Sequence, residues 1–398
     1  MTTTSDRPRA GARRPGASVL PGGGPWRRLR PRPDGLLLDL RVALPPWAVA
    51  RVVVLAVLAL ARWLVPELHA SLPAARWRLD QGLFGWDAGS YAQIAAHGYA
   101  RVPADWIRYF PLYPLSGRAL GAVLGSSDAG LLVVSNGLAL LWGALLHRLA
   151  LRETADPALA RRAAWLVALA PPGFMLVMAY GEALFGVLTV AVFLAVRRGR
   201  FGAALLPAVL AGLTRPTGFL LAAPVAVEAA RGLRRASGRE WALRLAAVAA
   251  PFVGTAAYLG WVAGRFGEAL LPYRVQTDRA LHGPYRDPVT IVREIWNGWG
   301  GPQEFSHLPW AALVVVLVVV LGRRWPASYT VFAALAMGSA FTALNLNSWE
   351  RYALGTSPLV LAAAQLAGGR VREPATLVVS GALLVCYALL AFVGLYVP

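Results

Sequence analysis

The chain has 398 residues, 57% of them hydrophobic, and a mean hydropathy of +0.52, which sets it apart from ordinary soluble domains. Its formal charge of +19 is carried entirely by arginine, mainly in short clusters between apolar runs; this is the positive-inside pattern and argues against a nucleic-acid partner. The lone Cys386 excludes an internal disulfide, and no Cys/His cluster has zinc-site spacing.

Residues 1–45, rich in Arg, Pro and Gly, read as a disordered cytoplasmic tail. The first apolar run, from Pro46 to Val65, has no small-residue cleavage site after it and reads as a signal anchor, with Arg51 and Arg62 snorkelling near its ends. Further runs fall at about 129–148, 163–179, 182–196, 201–214, 217–230, 243–263, 309–321, 327–344, 353–367 and 376–397. Placing the arginine clusters inside gives an all-α, polytopic transmembrane bundle over residues 46–398 with about eleven spans. Its N-terminus is then cytoplasmic and its C-terminus outside. Several runs are shorter than a straight span needs, which predicts broken or re-entrant helices.

Charge bookkeeping leaves no crossing for 110–125, so this segment is expected to be an interfacial helix with Tyr113 and Arg118 at headgroup level. Two long outside loops follow from that, 67–128 and 265–308. Every polar constellation of interest then falls on the extracytoplasmic side of the cytoplasmic membrane.

The passage from Phe84 to Leu115 is the most polar and aromatic of the chain. Asp87 sits beside Trp86 and four residues before Tyr91, on the same helical face. An aromatic neighbour at a water–lipid boundary desolvates a carboxylate, which favours a raised pKa and a general base. An ordinary N-cap over Ala88–His97 is the alternative. Tyr91, His97 and Tyr99 continue the helical spacing, as substrate contacts or as interfacial anchors. Tyr180 and Glu182 stand at a helix entry, where the acid either serves the dipole or holds a sugar hydroxyl. Arg215, in Leu-Thr-Arg-Pro-Thr-Gly, suits a phosphate or an ion pair with Glu182. Glu350 and Arg351, between two spans, read as an anchor or as a second phosphate contact. Most charges of the second loop read as solvated.

These residues, in this order, resemble the PIG-V family of mannosyltransferases, members of the GT-C class of integral-membrane glycosyltransferases. The resemblance is carried by Trp86-Asp87, Tyr91, Ile94-Ala95, Gly98-Tyr99, Phe110-Pro111-Leu112-Tyr113-Pro114, Pro171, Tyr180, Glu182-Ala183-Leu184-Phe185 and Arg215-Pro216-Thr217-Gly218. The all-arginine, Ala-rich composition looks like that of an actinobacterial relative. The resemblance implies a GT-C-like fold, a polyprenyl-phosphate sugar donor, and inverting transfer of mannose to a lipid or glycan acceptor at the outer face. It makes Asp87 the catalytic carboxylate of the first outside loop, taking the proton of the acceptor hydroxyl. Trp86, Tyr91, His97, Tyr113, Tyr180, Glu182, Arg215, Glu350 and Arg351 are the expected substrate contacts, with no metal and no cofactor. Another lipid-linked sugar, such as arabinose or glucose, is an alternative within the class. A lipid or glycan transporter is the alternative outside it, and would need polar residues near the midplane of facing helices.

Overall fold

The computed structural model describes residues 35–68, 75–278 and 281–396. Of the segment read as a tail, 1–34 lie outside the described residues, and helix α1 (Leu36–Leu68) begins well before Pro46. The connection that follows carries α2 (Ala75–Gln81), α3 (Asp87–His97) and α4 (Leu112–Leu124). Next come α5 (Ser127–Thr154), α6 (Pro157–Leu169), α7 (Glu182–Val196), α8 (Phe201–Gly212), α9 (Ala222–Ala229) and α10 (Gly238–Phe266). A second connection carries α11 (Leu271–Gln276) and α12 (Pro288–Trp296). The chain ends with α13 (Gly301–Arg324), α14 (Ala327–Ala340), α15 (Trp349–Gly355), α16 (Ser357–Leu366) and α17 (Arg372–Phe392). There is no strand among the described residues.

Five helices, α1, α5, α10, α13 and α17, are long and apolar enough to cross a membrane. The remaining apolar helices are shorter, and α7 shows why they tolerate it. It is buried on nearly every face, from Ala183 to Val196, so it is a core helix wrapped by its neighbours. Its fifteen residues extend about 22 Å and leave Glu182 at one end and Arg197 just past the other.

The run read as one span over 163–179 is instead broken. Pro171 and Pro172 lack the N–H groups a helix needs, so α6 stops at Leu169 and a 3-10 turn takes over at Pro171–Leu176. The carbonyls freed by this break would be costly in an apolar setting. Polar side chains of α1 and α5 satisfy them: Arg51 donates to the Leu176 carbonyl at 2.7 Å, Asn136 to Val177 at 3.1 Å and Ser135 to Met178 at 2.8 Å. Arg51 therefore turns inward, also binding Asn136 Oδ1 at 2.9 Å, and does not snorkel. The break delivers Tyr180 and Glu182 to the start of α7.

The 110–125 segment also differs from expectation. Helix α4 packs tightly on α5, where a methyl group at Gly117 would collide with Leu131 and one at Gly130 with the Gly117 carbonyl. Tyr113 is buried against α5, its hydroxyl donating to the Leu131 carbonyl at 3.1 Å, so its side chain is packed within the protein. Arg118 donates to the carbonyls of Ala95 and Ile94 and closes the end of α3. Small residues brought the two backbones together, and the polar groups followed them inward.

Candidate active site

A cavity of about 480 Å³ opens among α3, the start of α7, the Pro216–Leu221 turn, Gln276 and Thr277, residues 281–285, α14 and α15. Its size suits a small-molecule site. Five formally charged side chains line it, the carboxylates Asp87 and Glu182 and the guanidiniums Arg108, Arg215 and Arg351, leaving one positive charge in excess. Apolar side chains also line it, among them Phe219 and Leu220 and, from α14, Phe332, Ala336 and Ala340. The last three follow one another at four-residue intervals and share a face of α14.

Asp87 is the first residue of α3, and its side chain faces the cavity rather than capping the helix. Oδ1 accepts from the Tyr109 hydroxyl at 2.7 Å and Oδ2 from Arg351 at 2.7 Å. The Tyr109 oxygen in turn accepts from Arg108 at 2.7 Å. Burial alone pushes the Asp87 carboxyl up, but the Arg351 guanidinium, its hydrogen bond and that of Tyr109 outweigh it and hold the group below the usual carboxylate range. The expected rise is thus reversed: the cation lies 264 residues along the chain, beyond what local sequence reveals.

Trp86 does not line the cavity. Its indole N–H donates to the Ala391 carbonyl at 3.0 Å, and the Arg78 guanidinium stacks 3.8 Å from its ring centre. These contacts hold Trp86 at φ 59° and ψ −135°, a conformation a bulky side chain adopts only at a cost of about 1–3 kcal/mol. The kink aims the next residue, Asp87. On the Arg351 side, Ser348 has φ 69° at the entry to α15.

Arg351 is nearly buried and lies between two carboxylates, with Nε 3.5 Å from Glu182 and NH1 on Asp87. Arg215 reaches the same Glu182 oxygen at 3.9 Å. The Tyr352 ring stands beside both guanidiniums, each 5.3 Å from its centre. Glu182 Oε2 and the Tyr180 hydroxyl are buried without a hydrogen-bond partner. Such atoms are rare in folded proteins, and they gather here at the cavity edge.

The structure thus brings Asp87, Tyr91, Glu182, Arg215 and Arg351 to one cavity. Tyr180 lies just behind, its ring 5.6 Å from the Arg351 guanidinium. Tyr113 is one layer deeper, packed edge-on against Tyr91 at 5.0 Å. His97 is exposed at the far end of α3, away from the cavity. Glu350 points the other way, to His307 at 2.8 Å and the Tyr396 hydroxyl at 2.8 Å.

Arg108 was not singled out from the sequence, Tyr109 only as part of the Phe84–Leu115 passage, and His282 only among second-loop residues read mostly as solvated; all three line the cavity. Tyr109 directly precedes the Phe110-Pro111 motif, and that adjacency was the available signal. His282 is 3.3 Å from the Tyr352 hydroxyl; burial, then the Arg351 charge, keeps its pKa below the ordinary imidazole value. Among the described residues no three His, Cys, Asp or Glu side chains come together as a metal site. No protein-family model matches the chain, and no curated protein matches it.

Proposed function

We propose that this chain is a multi-pass membrane glycosyltransferase that moves a sugar, mannose by the motif resemblance, from a polyprenyl-phosphate carrier to an acceptor hydroxyl of a lipid or glycan. The observation that carries this reading is the Asp87 carboxylate, paired with Arg351, in a cavity that Arg108 and Arg215 and the apolar Phe219, Leu220, Phe332, Ala336 and Ala340 also line. An amphiphile with a singly charged phosphodiester head matches that combination of charge and grease. The acceptor oxygen attacks the anomeric carbon while Asp87 takes its proton. The departing phosphate gains charge, for which Arg351 and Arg215 are positioned donors. The Asp87 charge also favours an oxocarbenium-like transition state.

In this reading the eleven apolar segments all cross or enter the cytoplasmic membrane, the N-terminus is cytoplasmic and the cavity opens outside. The arginine clusters support that orientation: Arg197, Arg198 and Arg200 follow the end of α7 opposite the cavity-lining Glu182. No resident metal or cofactor is invoked, and the lipid-linked sugar is a co-substrate.

The test compares the envelope lipids and glycans of a deletion strain with those of strains rescued by wild type and by Asp87→Asn. The expected outcome is a mannosylated product restored by wild type and absent with Asp87→Asn at equal protein level. Restoration by Asp87→Asn would remove Asp87 as the base.

A further inference from the structure

The two partners of Asp87 are held very differently. Tyr109 is anchored: its oxygen accepts from Arg108, so its own proton is committed to Asp87 Oδ1. Arg351 is held less directly, lying against the Tyr180 and Tyr352 rings at 5.6 and 5.3 Å. Its second ionic contact, Glu182, is longer at 3.5 Å and already shared with Arg215, and its Nε makes no hydrogen bond. It also lines the cavity, between Oδ2 of Asp87 and the more distant Glu182. A carboxylate clasped by a guanidinium is a weak base, because the cation stabilises the ionised form.

We propose that Arg351 is an exchangeable partner, which neutralises Asp87 in the resting protein and transfers to the phosphodiester of the arriving donor, uncovering Oδ2 as the oxygen that takes the acceptor proton. This rests on the glycosyltransferase reading above. The charges balance along the reaction. The acceptor oxygen bonds to the anomeric carbon and its proton goes to Asp87 Oδ2. The anomeric C–O bond to phosphate breaks, and its electron pair stays with the phosphate. Asp87 thereby loses one negative charge and the phosphate gains one. A guanidinium that moves from the first to the second follows the charge. It also orders the reaction, with the donor bound before the acceptor proton can be taken.

The groups facing Asp87 are Arg351, Tyr109 and Arg108, then Tyr91, Tyr180 and His282, with Glu182 beyond Arg351. Tyr91, Tyr180 and Tyr109 are pushed up and stay protonated at neutral pH. Exchange therefore has a proton signature: once Arg351 leaves, its charge and hydrogen bond no longer hold the Asp87 value down, and Asp87 holds its proton more tightly.

The probe is citronellyl methyl phosphate, a short phosphodiester that does not itself titrate in the carboxylate range. Its binding to the detergent-purified full chain is measured by calorimetry at about pH 5, near but above the ordinary carboxylate value. Buffers of different ionisation enthalpy report proton uptake. Wild type is expected to take up part of a proton per ligand bound, and Asp87→Asn none. Arg351→Gln is expected to bind at least about 10-fold more weakly. Arg351→Lys keeps a cation should the Gln variant fail to fold, and is expected to bind several-fold more weakly with uptake preserved. Binding without uptake, equal uptake in Asp87→Asn, or undiminished binding in both Arg351 variants would overturn the exchange. Uptake with this probe, but no release of polyprenyl phosphate from polyprenyl-phosphate mannose in a parallel assay with acceptor lipids, would leave the exchange standing and remove the transferase reading. Transfer without uptake would do the reverse.

Discussion

Helix α7 joins two ion networks that look alike in composition and differ in completeness. At its far end Arg197 is fully buried and clasps Glu153 twice, at 2.6 and 2.9 Å. It also reaches Glu228 at 3.3 Å, which Ser328 and Arg231 bind as well, while Tyr329 donates to Glu153 at 2.8 Å. Every carboxylate oxygen there has a partner, and neither that Arg nor its acids line the cavity. At the near end Glu182 leaves one oxygen unpartnered, Tyr180 leaves its hydroxyl so, and the arginines border open volume. Buried charge alone therefore does not mark a site. A closed network is a staple between α5, α7, α9 and α14, and an unfinished one has room for another charged group.

Breaking either end tests this contrast. The largest effect is expected from Arg351→Met, which removes a phosphate donor and leaves the buried Glu182 and the half-buried Asp87 without their shared cation. Transfer per folded molecule should fall by about 10³-fold or more, with kcat and kcat/KM both reduced. Arg197→Met should do the opposite. Stripping a buried pair of its cation costs about 3–5 kcal/mol, so the melting temperature drops while transfer per folded molecule is kept. Equal losses of transfer in the two variants would erase the distinction.

Arg215→Lys is expected to raise the donor KM by about 10-fold with little change in kcat, since Lys keeps the charge but not the planar fork. Steady-state kinetics with varied donor decides this. Tyr109→Phe is a smaller change, about 1 kcal/mol for one hydrogen bond. Its sign is fixed by the pKa argument. The folded Asp87 value lies below the unfolded one, so its contribution to stability is present above about pH 3.9 and is lost as pH falls through the folded value. Removing the Tyr109 bond raises that value, and the acid limb of the transfer profile should move to higher pH. His97→Ala, exposed and away from the cavity, should leave transfer within about twofold, as a surface change does.

The apolar runs and arginine clusters made the helical membrane character legible, because length and hydropathy are local properties. Asp87, Glu182, Arg215 and Arg351 were also legible as chemistry out of place among apolar runs. What escaped was direction and distance. Glu350 and Arg351 are neighbours on α15, yet about 100° of helical rotation sends one to His307 and the other to Asp87. No local pattern says which. Arg51 looked like a snorkelling end residue because Asn136 and the Leu176 carbonyl are far along the chain. The four-residue spacing of Gly117 and Gly121 was the visible hint that α4 packs on α5. Charge bookkeeping carried more weight in that reading, and it says nothing about packing.

The central claim, that the unfinished network is a transfer site built around Asp87, is tested most directly by one rate. Purified protein is given polyprenyl-phosphate mannose and acceptor lipids from the native envelope, and release of polyprenyl phosphate is followed for wild type and Asp87→Asn. The account predicts acceptor-dependent release by wild type and less than about a hundredth of that rate for Asp87→Asn, with an unchanged melting temperature. Equal release by the two proteins, or intact donor with wild type, would contradict it.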